Sequence, residues 1–139
     1  MSASFVLVLE NEKTKDMLEM LYLSTTPCRT LMNEYGLDYT EDYLPFGENE
    51  YHCFVRAVDE YTEIKVKYEA EMREAKEMAS EAVAPDYFVE IVERYDNAKE
   101  MYDWANEELD HWSWRLKAVE YAMGIAEDNK GWVLKYYSC

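Results

Sequence analysis

The fold of this chain is decided by residues 85–128, which read PDYFVEIVERYDNAKEMYDWANEELDHWSWRLKAVEYAMGIAED. With Phe88 at an a position, the stretch contains six heptads whose a and d positions carry no charge. The a positions are Phe88, Tyr95, Tyr102, Leu109, Leu116 and Met123, and the d positions are Ile91, Ala98, Ala105, Trp112, Val119 and Ala126. Apolar residues at alternating spacings of three and four predict a helix that packs along a partner helix. Its expected length is about 40 residues, or about 60 Å.

The opposite side of the same predicted helix is acidic. Carboxylates occupy the f positions Asp86, Glu93, Glu100 and Glu107 and the b positions Asp96, Asp103 and Asp110, with Glu90 and Glu108 beside them. Because b and f positions point away from the seam, we expect one solvent-exposed stripe. From residue 86 to residue 110, nine acidic residues stand against two basic ones, a net charge of −7 over about 36 Å of helix. One excess charge per about 5 Å is of the same order as the one per ~3.4 Å along a DNA strand.

Length and charge restrict the class of protein. A chain of 139 residues has room for one domain. It has 30 acidic and 14 basic residues, a net charge of −16. Direct binding to nucleic acid or to an anionic membrane is not expected, since both need Lys and Arg. The partner that fits this charge is a basic protein.

The cysteines and the N-terminus predict the compartment. Cys28, Cys53 and Cys139 make an odd number without a CxxC pair, which favours reduced thiols in the cytosol. The apolar run Phe5–Leu9 is too short for a signal sequence or a membrane span. We therefore expect a soluble, cytoplasmic protein.

A second long helix is predicted from about Glu50 to Ala84. Its seam consists of Phe54, Val58, Tyr61, Lys65, Tyr68, Met72, Ala75, Ala79 and Ala82. Residues 51–58 also have a strand-like composition, but the helix formers of 60–84 favour helix throughout. Pro85 cannot continue the first helix and can begin the second, so the two helices are expected to form an antiparallel hairpin.

The remaining segments predict a small α/β cap over residues 1–49 and a strand in 129–139. The predicted elements are a strand at Phe5–Leu9, a helix at Glu12–Leu23 capped by Asn11, a short helix from Thr26 or Pro27 to Gly36, an irregular segment at Leu37–Asn49 and a strand at Trp132–Tyr137. The two terminal strands are expected to pair, giving two strands, or three if 51–58 joins them. The predicted fold is thus a mainly α single domain, in which residues 50–128 form the hairpin.

No pattern typical of a catalytic or metal site is present. Cys28, His52, Cys53, His111 and Cys139 lack metal-ligand spacing, and His52 and Cys53 would point about 100° apart on a helix. Phosphate-binding, GxSxG and HExxH motifs do not occur. We expect no enzymatic activity, no metal and no cofactor. A small enzyme ranks third among the hypotheses for the function of this chain.

Two tryptophans on or beside the acidic stripe favour a binding surface. Trp104 takes a c position and Trp114 an f position, and exposed Trp beside organised charge is typical of interfaces. The predicted partner-binding residues are Asp86, Glu90, Glu93, Asp96, Glu100, Asp103, Trp104, Glu107, Asp110 and Trp114. An acidic face can also serve solubility alone, and the sequence leaves both functions open.

No motif assigns the chain to a family. In general type it is similar to the small acidic proteins with which phages and mobile elements block host nucleic-acid enzymes. This similarity implies a non-catalytic nucleic-acid mimic that occupies the basic groove of a nucleic-acid-binding enzyme or complex, for example an anti-restriction or anti-CRISPR factor. The alternative is a coiled-coil adaptor, assembly chaperone or homo-oligomeric scaffold, and a homodimer is left open.

Overall fold

A computed structural model describes residues 4–24, 27, 28, 31, 43–81 and 84–138 of the chain. The strands are β1 (Ser4–Asn11), β2 (Met17–Ser24), β3 (Leu44–Pro45) and β4 (Trp132–Ser138), and the helices are α1 (Glu48–Glu81) and α2 (Pro85–Asp128). The protein is therefore mainly helical, with two long helices packed together and an antiparallel sheet. The predicted helix over 51–58 is confirmed, because the whole segment lies within α1.

The chain groups into two compact units, whose boundaries fall inside both long helices. The sheet unit contains the described residues of Met1–Ala57 and Trp112–Cys139, and the helical unit is Val58–His111. Each unit has its own buried residues, for example Phe5 and Leu7 in the sheet unit and Ala75 and Ile91 in the helical unit.

The sheet has the strand order β2-β1-β4-β3, with every neighbouring pair antiparallel. The predicted pairing of the terminal strands is confirmed, since Leu7 lies opposite Tyr136 and Leu9 opposite Leu134. The expectation of two or three strands is wrong, because β2 and β3 extend the sheet to four. The central strand β1 is buried on both faces, from Phe5 to Glu10. This burial explains why its apolar residues run consecutively instead of alternating.

The predicted helix at Glu12–Leu23 is wrong: residues 17–24 form strand β2. Asn11 does accept hydrogen bonds through Oδ1 from the backbone amides of Lys13 and Thr14, both at 3.0 Å, as a helix cap would. Here the same bonds close a hairpin loop, and Lys15 turns the chain back at a φ of 64°. The apolar residues Met17, Leu18 and Tyr22, whose spacing is that of a helix face, are exposed, with Leu18 at 54% and Tyr22 at 56%. Pairing with β1 therefore outweighed the local helical pattern.

The segment before α1 is more ordered than predicted. Residues 44 and 45 form β3 against β4, and the Phe46 amide donates to the Leu134 carbonyl at 3.0 Å. In the earlier predicted helix, Pro27, Cys28 and Leu31 are helical, and its other residues lie outside those described.

Aromatic rings form the core of the sheet unit. Phe54 of α1 lies 6.3 Å from Phe5 and 5.9 Å from Trp112, measured between ring centroids. Phe5 in turn stacks on Tyr136 at 5.3 Å, and Phe46 meets Tyr136 edge-on at 5.9 Å. Helices and sheet thus share one apolar centre within this unit.

The two helices of the helical unit run antiparallel, as predicted. Tyr61 contacts Trp104, Lys65 lies over the Tyr102 ring, and Glu74 pairs with Arg94. Residue numbers therefore rise along α1 as they fall along α2. α2 begins at Pro85, in agreement with the role predicted for this proline. Ala82, the last residue of the predicted seam of the first long helix, lies outside the described residues.

The predicted seam of α2 is confirmed at its d positions and only partly at its a positions. Ile91, Ala98, Ala105, Trp112 and Val119 are buried at d, whereas Ala126 and the a residues from Tyr95 to Met123 are half-buried. The expectation that Phe88 packs in the seam is wrong, since it is 47% exposed. The buried d residues therefore mark the side of α2 that is covered, and the a residues lie at the edge of that side.

Candidate functional site

The acidic stripe lies on the solvent side of α2, as the heptad pattern predicts. All eight of its predicted partner-binding carboxylates are exposed: Asp86, Glu90, Glu93, Asp96, Glu100, Asp103, Glu107 and Asp110. They are held there because Ile91, Ala98 and Ala105 bury the opposite side of the helix. Glu108, which flanks the stripe, is half-buried. The part of α2 from Pro85 to His111 thus presents a continuous row of carboxylates.

These carboxylates are available to a partner. Within the described part of the chain, none of the eight takes part in an ion pair or a side-chain hydrogen bond. Of the two basic residues in the stretch, Arg94 instead binds Glu74 of α1, with 3.3 Å between Nη2 and Oε2. Arg94 is thus paired with α1 and with none of the eight carboxylates.

The helical unit concentrates the negative charge of the protein. Residues 58–111 contain 17 acidic and 6 basic residues, a net charge of −11 out of the −16 of the chain. Because α1 contributes 8 of those acidic residues, the field is not produced by the stripe alone. A charge of this size steers basic molecules toward the unit over distances of about a Debye length, near 10 Å at 0.1 M salt.

The two tryptophans of the predicted surface differ in their surroundings. Trp104 is 44% exposed, and its ring meets Tyr61 of α1 edge-on at 5.4 Å. It is therefore partly committed to packing inside the helical unit. Trp114 is 58% exposed and belongs to the sheet unit, whereas the other nine predicted residues belong to the helical unit.

Sequence reasoning missed an exposed apolar cluster at the start of α2. Phe88, Val89 and Val92 are 47%, 56% and 41% exposed, and Tyr87 beside them is 46% exposed. The heptad pattern placed Phe88 in the seam and left the two valines without a role. The heptad pattern contains no signal for this exposure, because the burial of these residues depends on which part of the chain lies opposite them.

Each unit contains a groove that is lined by described residues. One, in the helical unit, has a volume of about 420 Å³ and is lined by Tyr68, Glu71, Glu90, Glu93, Arg94, Asn97, Ala98 and Met101. The other, in the sheet unit, has a volume of about 380 Å³ and is lined by Pro45, Phe46, Met123, Ala126, Glu127, Val133 and Leu134. Only the first includes residues of the predicted partner-binding set, Glu90 and Glu93.

The cysteines and histidines do not assemble into a reactive site in the described chain. Burial raises the pKa of Cys28 to about 12 and that of Cys53 to about 11. His52 pairs with Glu48 one turn away, at 3.7 Å between Nε2 and Oε2. The described residues contain no group of three or more potential metal ligands. Cys139 lies outside them.

Comparison with protein-family models, with curated proteins and with solved structures finds no match for this chain. Along the described residues, no helix carries an apolar stretch long enough to cross a membrane.

Proposed function

We propose that this protein is a non-catalytic inhibitor that binds the basic groove of a nucleic-acid-binding enzyme or complex. The stripe on α2 would take the place of a nucleic-acid backbone, and the true ligand would be excluded. A phage or mobile-element factor directed against restriction or CRISPR enzymes has this kind of activity. The cytoplasm is the compartment in which such a partner would be met.

The observation that carries this proposal is the row of exposed carboxylates without partners in the described chain. A helix face that served solubility alone would gain stability from Glu–Lys pairs at i,i+4 spacing. Here seven of the nine acids between Asp86 and Asp110 lie at b and f positions, and the nearby Arg94 is bound to Glu74 instead. The eight exposed carboxylates therefore have no partner within the described chain.

The charges and the aromatic residues would contribute to different steps of binding. Long-range attraction by the charge of −11 on the helical unit would raise the association rate. Contacts of Trp104 and Trp114 would slow dissociation, because apolar anchors buried on binding carry much of the energy of an interface. Variants of the two kinds are expected to differ kinetically on one partner.

The test starts from capture on the immobilised full chain. A bacterial lysate is applied at low and at high salt, and the proteins retained only at low salt are identified by mass spectrometry. Each captured protein is then assayed for binding to a labelled DNA duplex with and without this protein. The proposal requires competition with DNA, because a nucleic-acid mimic and the nucleic acid itself would occupy the same groove.

A stripe variant and a matched control make the test specific. The stripe variant replaces Glu93, Asp96, Glu100, Asp103 and Glu107 with Gln or Asn. The control makes the same change at five exposed acids of α1, namely Asp59, Glu63, Glu69, Glu77 and Glu81. We expect the stripe variant to associate markedly more slowly and with a flatter salt dependence than the control. If it binds and inhibits like the parent at every salt concentration, the mimicry proposal is wrong.

A scaffold or adaptor is the second candidate, and the exposed cluster at Phe88, Val89 and Val92 favours it. Apolar side chains on a helix surface are a means by which coiled-coil proteins associate. A scaffold would self-associate with little dependence on salt, and sedimentation of the full chain at two salt concentrations separates this candidate from the first.

A further inference from the structure

The first turns of α2 present an apolar patch, defined here as Phe88, Val89 and Val92. Their side chains are neighbours, because Val92 lies four residues after Phe88 and three after Val89. All three are between 41% and 56% exposed. Adjacent exposed apolar side chains of this kind are a common mark of an interaction site.

The surroundings of the patch indicate the chemistry of what binds there. Asp86 and Glu93 lie three residues before and four residues after Val89, and Asp96 lies four residues after Val92. All three carboxylates are exposed. A second copy of the chain would bring like charges together at this rim. An apolar surface edged with Lys or Arg would instead cover the patch and form ion pairs with the carboxylates around it.

The acidic stripe continues from the patch along the same side of α2. Asp96 and Asp103 follow Val89 by seven and fourteen residues, which returns the helix to nearly the same side, and both are exposed. An amphipathic helix whose apolar face covered the patch would therefore bring its basic side chains over the stripe.

We propose that Phe88, Val89 and Val92 are the apolar anchor for a basic amphipathic helix of the partner. The inference rests on the proposed function, because the partner is the same basic protein and its Lys and Arg side chains meet the same stripe. It adds that the residence time of the complex depends on the start of α2, in addition to the tryptophans.

The experiment uses synthetic helical peptides as probes of the full chain. One peptide is an amphipathic Leu/Lys helix, the second a Lys/Gln peptide of equal charge without an apolar face, and the third a Leu/Glu helix. The patch variant carries Phe88→Ser, Val89→Ser and Val92→Ser. The control carries Leu18→Ser, Val66→Ser and Tyr121→Ser, at three apolar positions elsewhere that are between 54% and 72% exposed. Calorimetry gives affinity and the heat-capacity change.

We expect the parent to bind the Leu/Lys peptide at least about tenfold more tightly than the Lys/Gln peptide, and the Leu/Glu peptide most weakly. The patch variant should lose this advantage and the negative heat-capacity change that accompanies apolar burial, while the control keeps both. Val89→Gln alone, at the most exposed of the three positions, should show a partial loss if the triple variant does not fold. An unchanged Leu/Lys affinity in a folded patch variant would overturn the inference, as would a parent dimer that the patch variant dissociates.

The stripe variant separates this inference from the proposed function. Neutralising the five stripe acids should weaken the binding of both basic peptides and leave the preference for the Leu/Lys peptide in place. If it weakens neither, the charge-based function is wrong although the patch still binds apolar surface. If the stripe substitutions weaken binding of both basic peptides and the patch substitutions weaken binding of neither, the proposed function stands. The apolar anchor then lies elsewhere on the protein.

Discussion

Glu10 is the buried charged residue of the described core, with 6% of its surface exposed at the end of β1. Its Oε2 accepts a hydrogen bond from Lys135 Nζ at 2.7 Å, and its Oε1 lies 3.7 Å from Lys15 Nζ. The bond from Lys135 holds the pKa of the Glu10 carboxyl below its usual value, although burial opposes the shift. The carboxylate thus joins the central strand to β4 and to the hairpin loop.

The lowered pKa predicts how this contact responds to acid. The stabilisation by the charged carboxylate is complete above the usual pKa of 4.5 and is lost as the pH falls through the lower folded value. We expect Glu10→Gln to reduce the free energy of unfolding at neutral pH and to make its decline in acid shallower. Urea unfolding from neutral pH to about pH 3 measures both effects. Glu12→Gln, at an exposed neighbour, is the control, and equal acid profiles for parent and Glu10→Gln would contradict the prediction.

The two described cysteines are predicted to be unreactive while the protein is folded. With pKa values of about 12 and about 11, Cys28 and Cys53 carry almost no thiolate near neutral pH. In a Cys139→Ser background, iodoacetamide should modify neither thiol until denaturant is added. Mass spectrometry of the chain counts the alkylated thiols before and after denaturation. Rapid labelling of Cys53 in the folded protein would contradict the prediction and indicate a reactive thiol.

At the scale of the elements, the seam of α2 stabilises the helical unit unequally along its length. Ile91 is 3% exposed, Leu109 is half-buried and Phe88 is 47% exposed. Apolar burial, and not apolar type, sets the cost of truncation, because only buried atoms leave a cavity. The heptad register alone would have ranked these three residues together.

Alanine substitutions along the seam test this gradient. We expect Ile91→Ala to cost about 2–5 kcal/mol, Leu109→Ala clearly less, and Phe88→Ala within about 0.5 kcal/mol of the parent. Chemical denaturation of the three variants, compared at equal m values, gives the ranking. A large loss for Phe88→Ala would show that this side chain is packed, and the patch would then not be available to a partner.

At the scale of the whole molecule, the uneven distribution of charge affects stability as well as binding. The helical unit has a net charge of −11, and the remaining residues share −5, from 13 acidic and 8 basic residues. Like charges held together destabilise a folded unit at low ionic strength. Salt relieves that repulsion, because the Debye length falls from about 30 Å at 0.01 M to about 10 Å at 0.1 M.

This charge distribution predicts a salt-dependent stability. We expect the thermal midpoint of the parent to rise between low and moderate NaCl, and to rise less in the variant neutralised at Glu93, Asp96, Glu100, Asp103 and Glu107. At low salt that variant should be at least as stable as the parent. Differential scanning calorimetry at matched pH provides the measurement, and an equal rise in both proteins would mean that the stripe is not a source of repulsion.

Much of the helical architecture could be predicted because its signals are local. Pro85 begins α2 and Asn129–Gly131 ends it, and the heptads between them fix which side is buried, since a helix satisfies its own backbone. The exposure of the eight carboxylates follows from the same periodicity. The pairing of β1 with β4 was also predictable, because both segments are short, apolar and rich in strand-forming residues.

The rest depended on residues that are distant in sequence. Whether Asn11 caps a helix or closes a hairpin is decided by β1, whose backbone groups pair with residues 17–24. The exposure of Phe88 and the packing of Trp104 on Tyr61 depend on which part of α1 lies opposite, and a periodic pattern does not carry that information. The sequence by itself determined the helices and the charged face, because helix formation and side-chain direction are local. Only the tertiary structure decided β2, the apolar patch and the surroundings of the tryptophans, because strand pairing and burial are properties of the partner segment.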